Sequence, residues 1–491
     1  MNFQNSRKLQ HRSHFVIPGG AHTYAKGDDQ YPVLAPGFPS GGRGVESGIP
    51  METKKMNREN WREAMNRIKI LSVVGARPNF MKIAPIISAI NKHNLKSAHA
   101  ISGWNLPTIH NVLVHTGQHY DRMMSDAFFS DLNIPTPDIF LGVGSGSHAE
   151  QTADIMKLFE GLLMEERPDF VIVVGDVNST LACALAASKI SYDSNGSRPW
   201  IAHVEAGLRS FDRSMPEEVN RVLTDHISDL LFVTEKSGIV NLTSEGISEG
   251  KIFFVGNTMI DTLLTYEKKT MDSVILKELG LLRFGDDMST KKSQEFISPF
   301  ALVTLHRPSN VDNIDNFKNI IEALAEFSSS LDVVFPVHPR TQNRIKEFGL
   351  EDYFDFDFLE NSNKTKGFSK SRGRILLLPP LGYIDFLSLM KNAKVVITDS
   401  GGIQEETTCL KVPCVTIREN TERPVTVSHG TNIIAGIDKK NIIDSINKQM
   451  EKEFNNIIPE LWDGKAAFRI IQNIVREGIR RGNESRRTIA P

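Results

Sequence analysis

Phe170-Val171-Ile172-Val173-Val174-Gly175 is an unbroken apolar run closed by glycine, and runs of the same kind recur along the chain. Ile70–Gly75, Val112–His115, Ile201–Val204, Leu230–Val233 and Lys251–Gly256 complete a first series. Phe300–Leu305, Asp332–Val337, Ile375–Leu378, Lys394–Thr398 and Val412–Ile417 form a second. A strand with one face in water alternates apolar and polar residues, whereas a strand apolar throughout is covered on both faces. Helical runs stand between these strands, from about Met81 to His93, Ala149 to Glu166 and Ser179 to Ile190. The alternation predicts parallel sheets sandwiched by helices, and its restart after Gly256 predicts two similar α/β domains with a cleft between them.

The chain of 491 residues is long enough for two or three domains of roughly 100–200 residues each. We expect an extension over 1–67, a first domain over 68–256, a second over 257–461, and a C-terminal helix and tail over 462–491. The extension is rich in Gly, Pro, His and basic residues and is expected to be disordered. The polar stretches 282–297 and 351–374 read as surface loops. A formal net charge of −2 gives no electrostatic case for a nucleic acid or an anionic membrane. Cys183, Cys409 and Cys414 lack metal-ligand spacing and read as small buried thiols. No apolar run approaches the ~18 residues of a membrane span, and no signal peptide is evident, so a cytoplasmic location is expected.

In open parallel sheets, ligands bind beyond the carboxyl ends of the strands. Polar clusters collect at those ends: Gly75–Asn79, His115–His119, Gly175–Thr180, His203–Arg209, His306–Asn310, His338–Arg340 and Asp399–Glu406. The densest spans His203–Arg221, with four carboxylates, three arginines and one histidine. Glu217 and Arg221 are four apart and share a helix face. Ionisable groups crowded at a strand end suit proton transfer on a small polar substrate; the bland alternative is a salt-bridged surface helix. Ser400-Gly401-Gly402 leading into a helix suits an anion, because glycines admit close approach and the free amides favour phosphate. As a bland alternative it is an ordinary helix cap. Glu406, one turn on, is placed to accept hydrogen bonds from a sugar diol. Arg77, Lys82, His306, Arg307 and Arg340 supply positive charge suited to a diphosphate. Neither a GxGxxG turn nor a P-loop follows the first strand, and no histidine pair has HExxH spacing. No cofactor and no tightly bound metal are expected.

The segments GARPNFMKIAP (75–85), HTGQHYD (115–121), GDVNST (175–180), HVEAGLRS (203–210) and MPEEVNR (215–221) continue in order with HRPSNVDN (306–313), HPR (338–340), DSGGIQEE (399–406) and TERPVT (421–426). Together they resemble the non-hydrolysing UDP-N-acetylglucosamine 2-epimerases, over about residues 68–480. The resemblance implies a GT-B type fold of two Rossmann-like, doubly wound domains, with the nucleotide sugar in the interdomain cleft. It implies an isomerase that eliminates UDP from C1 to form a 2-acetamidoglucal and adds UDP back after protonation on the opposite face. By match of motif, Asp176, Glu205 and Glu217 are the acid/base carboxylates and His306 steadies the diphosphate. Arg77, Lys82, Arg209, Arg307, His338, Arg340, Ser400, Gly401, Gly402, Glu406 and Arg423 line the substrate site, with Glu406 on the ribose. Gln118 and His119 match a region that contributes to a second, activating nucleotide-sugar site in bacterial members. UDP-N-acetylglucosamine and UDP are the implied ligands, and a homodimer the implied assembly.

Two departures stand out: the stretch Ser97–His110 is longer than the family pattern, and Ser309 stands where members often carry Glu. Residues 1–40 resemble an N-terminal fragment of class III pyridoxal-phosphate aminotransferases, but nothing later suggests that enzyme's lysine domain. They read as the remnant of a neighbouring coding region. Other readings share parts of the site: a hydrolysing variant releasing N-acetylmannosamine and UDP, an epimerase of a modified sugar such as a diacetamido uronic acid, a GT-B glycosyltransferase, and a silent nucleotide-sugar sensor. A transferase needs only one base near its acceptor, which the carboxylate set exceeds.

Deleting residues 1–60 is expected to leave turnover unchanged. A large loss of activity or solubility on deletion would show that the extension packs on the fold.

Overall fold

The computed structural model describes residues 67–98, 106–118, 134–287, 292–356, 375–454 and 458–489. Most of the expected extension lies outside them.

The first series of apolar runs forms seven strands: β1 (Arg67–Val74), β2 (Thr108–His115), β3 (Ile139–Phe140), β4 (Phe170–Val174), β5 (Trp200–Ala206), β6 (Leu230–Val233) and β7 (Ile252–Phe254). They pair in parallel in the order β3-β2-β1-β4-β5-β6-β7. The connecting helices are α1 (Arg77–Ala98), α2 (His148–Glu166), α3 (Asn178–Lys189), α4 (Pro216–Ile227) and α5 (Lys236–Ser244). Every residue of β4 and β6 is buried, as their uniformly apolar sequences require. After α6 (Thr258–Tyr266), a hairpin of β8 (Leu282–Asp287) and β9 (Lys292–Ile297) leads into the second sheet. Here the structure corrects the expectation of a loop over 282–297. Strand pairing is satisfied by backbone groups, so a polar sequence does not prevent it.

The second sheet comprises β10 (Phe300–Thr304), β11 (Asp332–Pro336), β12 (Phe354–Asp355), β13 (Ile375–Leu378), β14 (Val395–Thr398), β15 (Cys414–Thr416) and β16 (Asn432–Ile434). Its order is β12-β13-β11-β10-β14-β15-β16, and all its pairs are parallel. Of the second expected loop, residues 357–374 lie outside the described residues, and Phe354–Asp355 is the edge strand. The helices here are α7 (Ile314–Phe327), α8 (Pro339–Glu347), α9 (Tyr383–Asn392), α10 (Gly401–Leu410), α11 (Pro424–Ser428) and α12 (Lys439–Glu451). The fold is therefore α/β with two Rossmann-like domains. In both sheets the order reverses beside the first strand, at β1/β4 and β10/β14, which sets a ligand crevice at the carboxyl ends.

The two domains do not meet only at the crevice. The last helix, α13 (Ala466–Ile489), returns to the first domain and lies against α1. Gly478 on α13 admits a close approach to the first sheet, since a Cβ there would lie 2.7 Å from Cδ1 of Ile68 on β1. Asp261 on α6 caps the returning helix, accepting from the Ala466 and Ala467 amides at 3.1 and 2.7 Å. One apolar cluster consequently runs from Ile70 and Phe170, through Ile260 and Ile474, to Leu302 and Val334 of the second sheet. All three cysteines are buried and free. Among the described residues, no helix is long and apolar enough to cross a membrane.

Gly256 marks the tightest point of the crossing. Its φ is +88°, and a Cβ there would lie 2.1 Å from the Leu461 carbonyl oxygen. Gly256→Ala combines left-handed strain with a backbone clash and is expected to cost about 2–4 kcal/mol. A denaturant titration checks this; unchanged stability would mean that the two passing chains are not held together.

Candidate active site

The first-domain turns are assembled by close contacts that only small residues permit. A Cβ on Gly75 would lie 2.1 Å from the Ser179 hydroxyl, so the turn after β1 packs directly on the start of α3. Asn79 holds that turn by accepting from the Gly75 and Ala76 amides at 3.0 and 3.1 Å. Gln118 is buried, and its side-chain oxygen accepts from the Ser179 amide and hydroxyl at 2.9 and 2.6 Å. Gln118 thus ties the turns after β2 and β4 together. His119 lies outside the described residues, as does the side chain of Arg77 at the head of α1.

Glu205 lies at the end of β5, where the register with β6 shifts between Val204 and Ala206. Its φ is +74°, a conformation costly for a residue with a side chain. A bulge at a strand end re-aims a side chain, and here the Glu205 carboxylate meets two cations. Lys82 of α1 lies 2.6 Å from Oε2, and Arg423 of the second domain donates to Oε1 at 3.0 Å. All three side chains are buried. Arg423 also lies 2.8 Å from Glu405 and 2.5 Å from Glu422, so one guanidinium serves three carboxylates. Glu422 in turn pairs with Arg418 at 2.8 Å and with Arg307 at 3.6 Å. Burial pushes the Glu422 carboxyl up, but Arg423 and Arg418 outweigh that and hold it far below the usual carboxylate range.

Asp176 pairs with Arg221, which also donates to Glu218 at 2.5 Å. Burial raises the Asp176 carboxyl, and Arg221 and Lys82 together bring it below its ordinary value. Arg221 thus engages Glu218 rather than Glu217, the partner that spacing suggested. Glu218 is turned inward, where it accepts from the Ser210 and Phe211 amides at 3.0 and 2.9 Å. Glu217 is half-buried in the first turn of α4, and among the described residues it makes no side-chain hydrogen bond or ion pair.

The second domain contributes the start of α10. Ser400 is its cap residue, Gly401 is buried, and a Cβ on Gly401 would lie 2.3 Å from Nη1 of Arg423. Arg423 therefore lies across the first turn of α10, beside its free amides. Asp399 accepts from the His306 and Arg307 amides at 3.0 and 2.9 Å and faces His306 Nδ1 at 3.0 Å, leaving that ring half-exposed. Glu406 is buried and accepts from the Tyr383 hydroxyl at 2.9 Å; burial pushes its carboxyl up to about 7.

Lys82, Asp176, Glu205 and Arg423 are brought into one charged cluster, with Arg307 bordering it through Glu422. Arg209 is not part of it: its guanidinium is taken up by Asp225 at 2.7 Å and Glu245 at 2.7 Å, inside the first domain. Arg340 pairs with Asp312 and His338 caps α8, both on an exposed rim. Sequence reasoning missed Glu405, Glu422, Glu218 and Arg418, although Glu405, Glu422 and Glu218 each stand one residue from a position it singled out.

A family profile described as UDP-N-acetylglucosamine 2-epimerase matches residues 105–475. The chain belongs to this UDP-N-acetylglucosamine 2-epimerase family. It is thereby an isomerase of the nucleotide-sugar class. A UDP-N-acetylglucosamine 2-epimerase of Methanocaldococcus jannaschii is 42% identical over 407 residues, covering 82% of this chain and 98% of the relative. Its crystal structure in complex with UDP-GlcNAc and UDP aligns with a TM-score of 0.68 at 40% identity, covering 83% of this chain and 100% of that one. A UDP-2,3-diacetamido-2,3-dideoxy-D-glucuronate 2-epimerase of Pseudomonas aeruginosa is 35% identical over 412 residues, covering 83% of this chain and 100% of the relative.

Glu406 yields a stability prediction. Its carboxyl titrates near its usual 4.5 in the unfolded chain and near 7 in the fold. The fold therefore favours the protonated form, so the penalty is absent below 4.5 and complete above about 7. Glu406→Gln is expected to stabilise the unliganded protein at pH 8 by at most about 3 kcal/mol and to change little at pH 4.5. A gain equal at both pH values would contradict the assignment.

Proposed function

We propose that the chain interconverts UDP-N-acetylglucosamine and UDP-N-acetylmannosamine by anti elimination of UDP and its re-addition. The observation that carries this reading is the Glu205 carboxylate held between Lys82 and Arg423, where strand ends of both domains face each other. A base and a cationic cradle then stand side by side. The C2 proton of the sugar is only weakly acidic, so its removal must be coupled to departure of the C1 substituent. A carboxylate takes the C2 proton, the C–H electrons form the C1–C2 double bond, and the C1–O pair leaves with the diphosphate. Reversal with a proton delivered to the other face of C2 inverts that centre. Fixed cations at the departing diphosphate stabilise the charge that develops there.

Asp176, Glu205 and Glu217 are the acid/base set in this reading. Lys82, His306, Arg307 and Arg423 face the diphosphate, with the Ser400-Gly401-Gly402 amides and Arg77. Glu406 takes the ribose, and its hydrogen bond from Tyr383 leaves its second oxygen for a hydroxyl. His338 and Arg340 lie farther out on the rim, and Arg209 has no direct part. Likeness to the family also favours a cytoplasmic homodimer. A second reading, epimerisation of a diacetamido uronic acid derivative, is favoured by the 35% identity to the Pseudomonas enzyme.

Proton NMR of UDP-N-acetylglucosamine incubated with the protein in D2O tests the proposal. Deuterium at C2 of UDP-N-acetylmannosamine is the expected outcome. Free N-acetylmannosamine with UDP would indicate the hydrolysing reaction, and absence of exchange would direct attention to the modified sugar. Glu205→Gln and Glu217→Gln are each expected to lower turnover by about 10²–10⁴-fold while UDP still binds. Near-normal turnover in both would remove them from the mechanism.

A further inference from the structure

Glu405 is fully buried, yet no role in the reaction above uses it. Among the described residues its one ion pair is with Arg423, 2.8 Å away at Nε, and no group other than that guanidinium donates to its carboxylate. A desolvated carboxylate with a single cationic donor is held ionised chiefly by that cation. The charged groups facing it are Lys82 from α1, Glu205 from the end of β5, and Arg423. Glu406 adjoins it on α10, Glu422 reaches it through the shared guanidinium, and Glu235, a carboxyl that burial pushes up to about 7, interacts with the same Arg423 and Glu205. The cations and carboxylates of the cluster balance: Lys82, Arg221, Arg307, Arg418 and Arg423 stand against Asp176, Glu205, Glu218, Glu405 and Glu422. Each of these described cations is already paired, so a diphosphate entering the cluster brings negative charge that the cluster itself does not balance.

We propose that Glu405 takes up a proton from solvent when the diphosphate binds, releasing Arg423 to the phosphates. Glu405 is in this sense a positioning residue: it parks Arg423 in the empty site and becomes neutral in the filled one. The inference rests on the UDP-sugar reading above. Two further features fit it. Arg423 already lies against Gly401, at the turn whose amides would meet a phosphate. Burial, opposed by Arg423, pushes the Glu405 carboxyl up to about 7, so little is needed to protonate it. Glu205 and Glu422 differ from it in each having a second cation, Lys82 and Arg418 respectively.

Titration calorimetry with UDP, in buffers of equal pH near 8 but different ionisation enthalpy, measures proton uptake on binding. UDP's own titration is common to all variants and drops out of the difference between them. The wild-type protein is expected to take up about one proton more per site than Glu405→Gln. Relative to that variant, its affinity should also weaken up to about tenfold per pH unit above neutrality. In the wild-type protein, the infrared difference spectrum on UDP binding should show a carboxylate band replaced by a protonated carboxyl band, which requires no variant to fold. Equal uptake in wild type and Glu405→Gln, or no protonated carboxyl band, would overturn the proposal. Failure of UDP to bind the wild-type protein would overturn the UDP-sugar reading, and this inference with it; binding without uptake overturns this inference alone.

Discussion

Arg423 is the residue on which the organisation of the cleft depends. It belongs to the second domain, yet its guanidinium reaches Glu205 at the end of a first-domain strand. Behind it stand Glu405 and Glu422, both from its own domain. Removing one member of a buried charge pair leaves an uncompensated charge and costs about 3–5 kcal/mol. The arrangement is therefore stable only as a whole. It joins the contact between the two domains to the ionisation of the carboxylates there.

The rest of the architecture keeps that junction in place. Glu205 is in a left-handed conformation, and Gly207, two residues on at φ +82°, packs so closely on Gly238 that a Cβ would lie 2.5 Å from its carbonyl oxygen. His203, two residues earlier, is bracketed by Asp225 at 2.7 Å and the Gly175 carbonyl at 2.8 Å. The turn carrying Asp176 and the strand end carrying Glu205 are thereby fixed relative to each other. The return of α13 to α1 supports the helix that presents Lys82. Local strain at Glu205 is over-determined by these contacts, as a strained functional residue requires.

Much of this was legible in the sequence because its cause is local. Apolar runs such as Phe170–Val174 can only be covered strands, and glycines at their ends mark turns where ligands meet parallel sheets. Lys82, Asp176, Glu205 and Arg423 were recognisable through their motifs, and the family comparison agrees with the family that those motifs suggested. What stayed hidden depends on contacts distant in sequence. Arg209 looked available until Asp225 and Glu245 were seen to occupy it. Glu217 and Glu218 are adjacent, and only the packing of α4 shows that Glu218 turns inward. The same holds for Glu405 beside Glu406: neighbours on a helix point about 100° apart, and nothing local says which meets Arg423. The bulge at Glu205 arises from register with β6, which no single strand reveals.

The central claim is that epimerisation proceeds through departure of UDP from C1, with a base and a diphosphate cradle placed at one point. Positional isotope exchange tests it most directly. UDP-N-acetylglucosamine carrying ¹⁸O in the bridge between C1 and the β-phosphorus is incubated with the protein, and the label is followed by phosphorus NMR. Elimination frees the bridging oxygen to exchange with its non-bridging neighbours, so the label is predicted to scramble as epimerisation proceeds. Epimerisation with the label retained in the bridge would mean that C1–O never breaks, and would contradict the account.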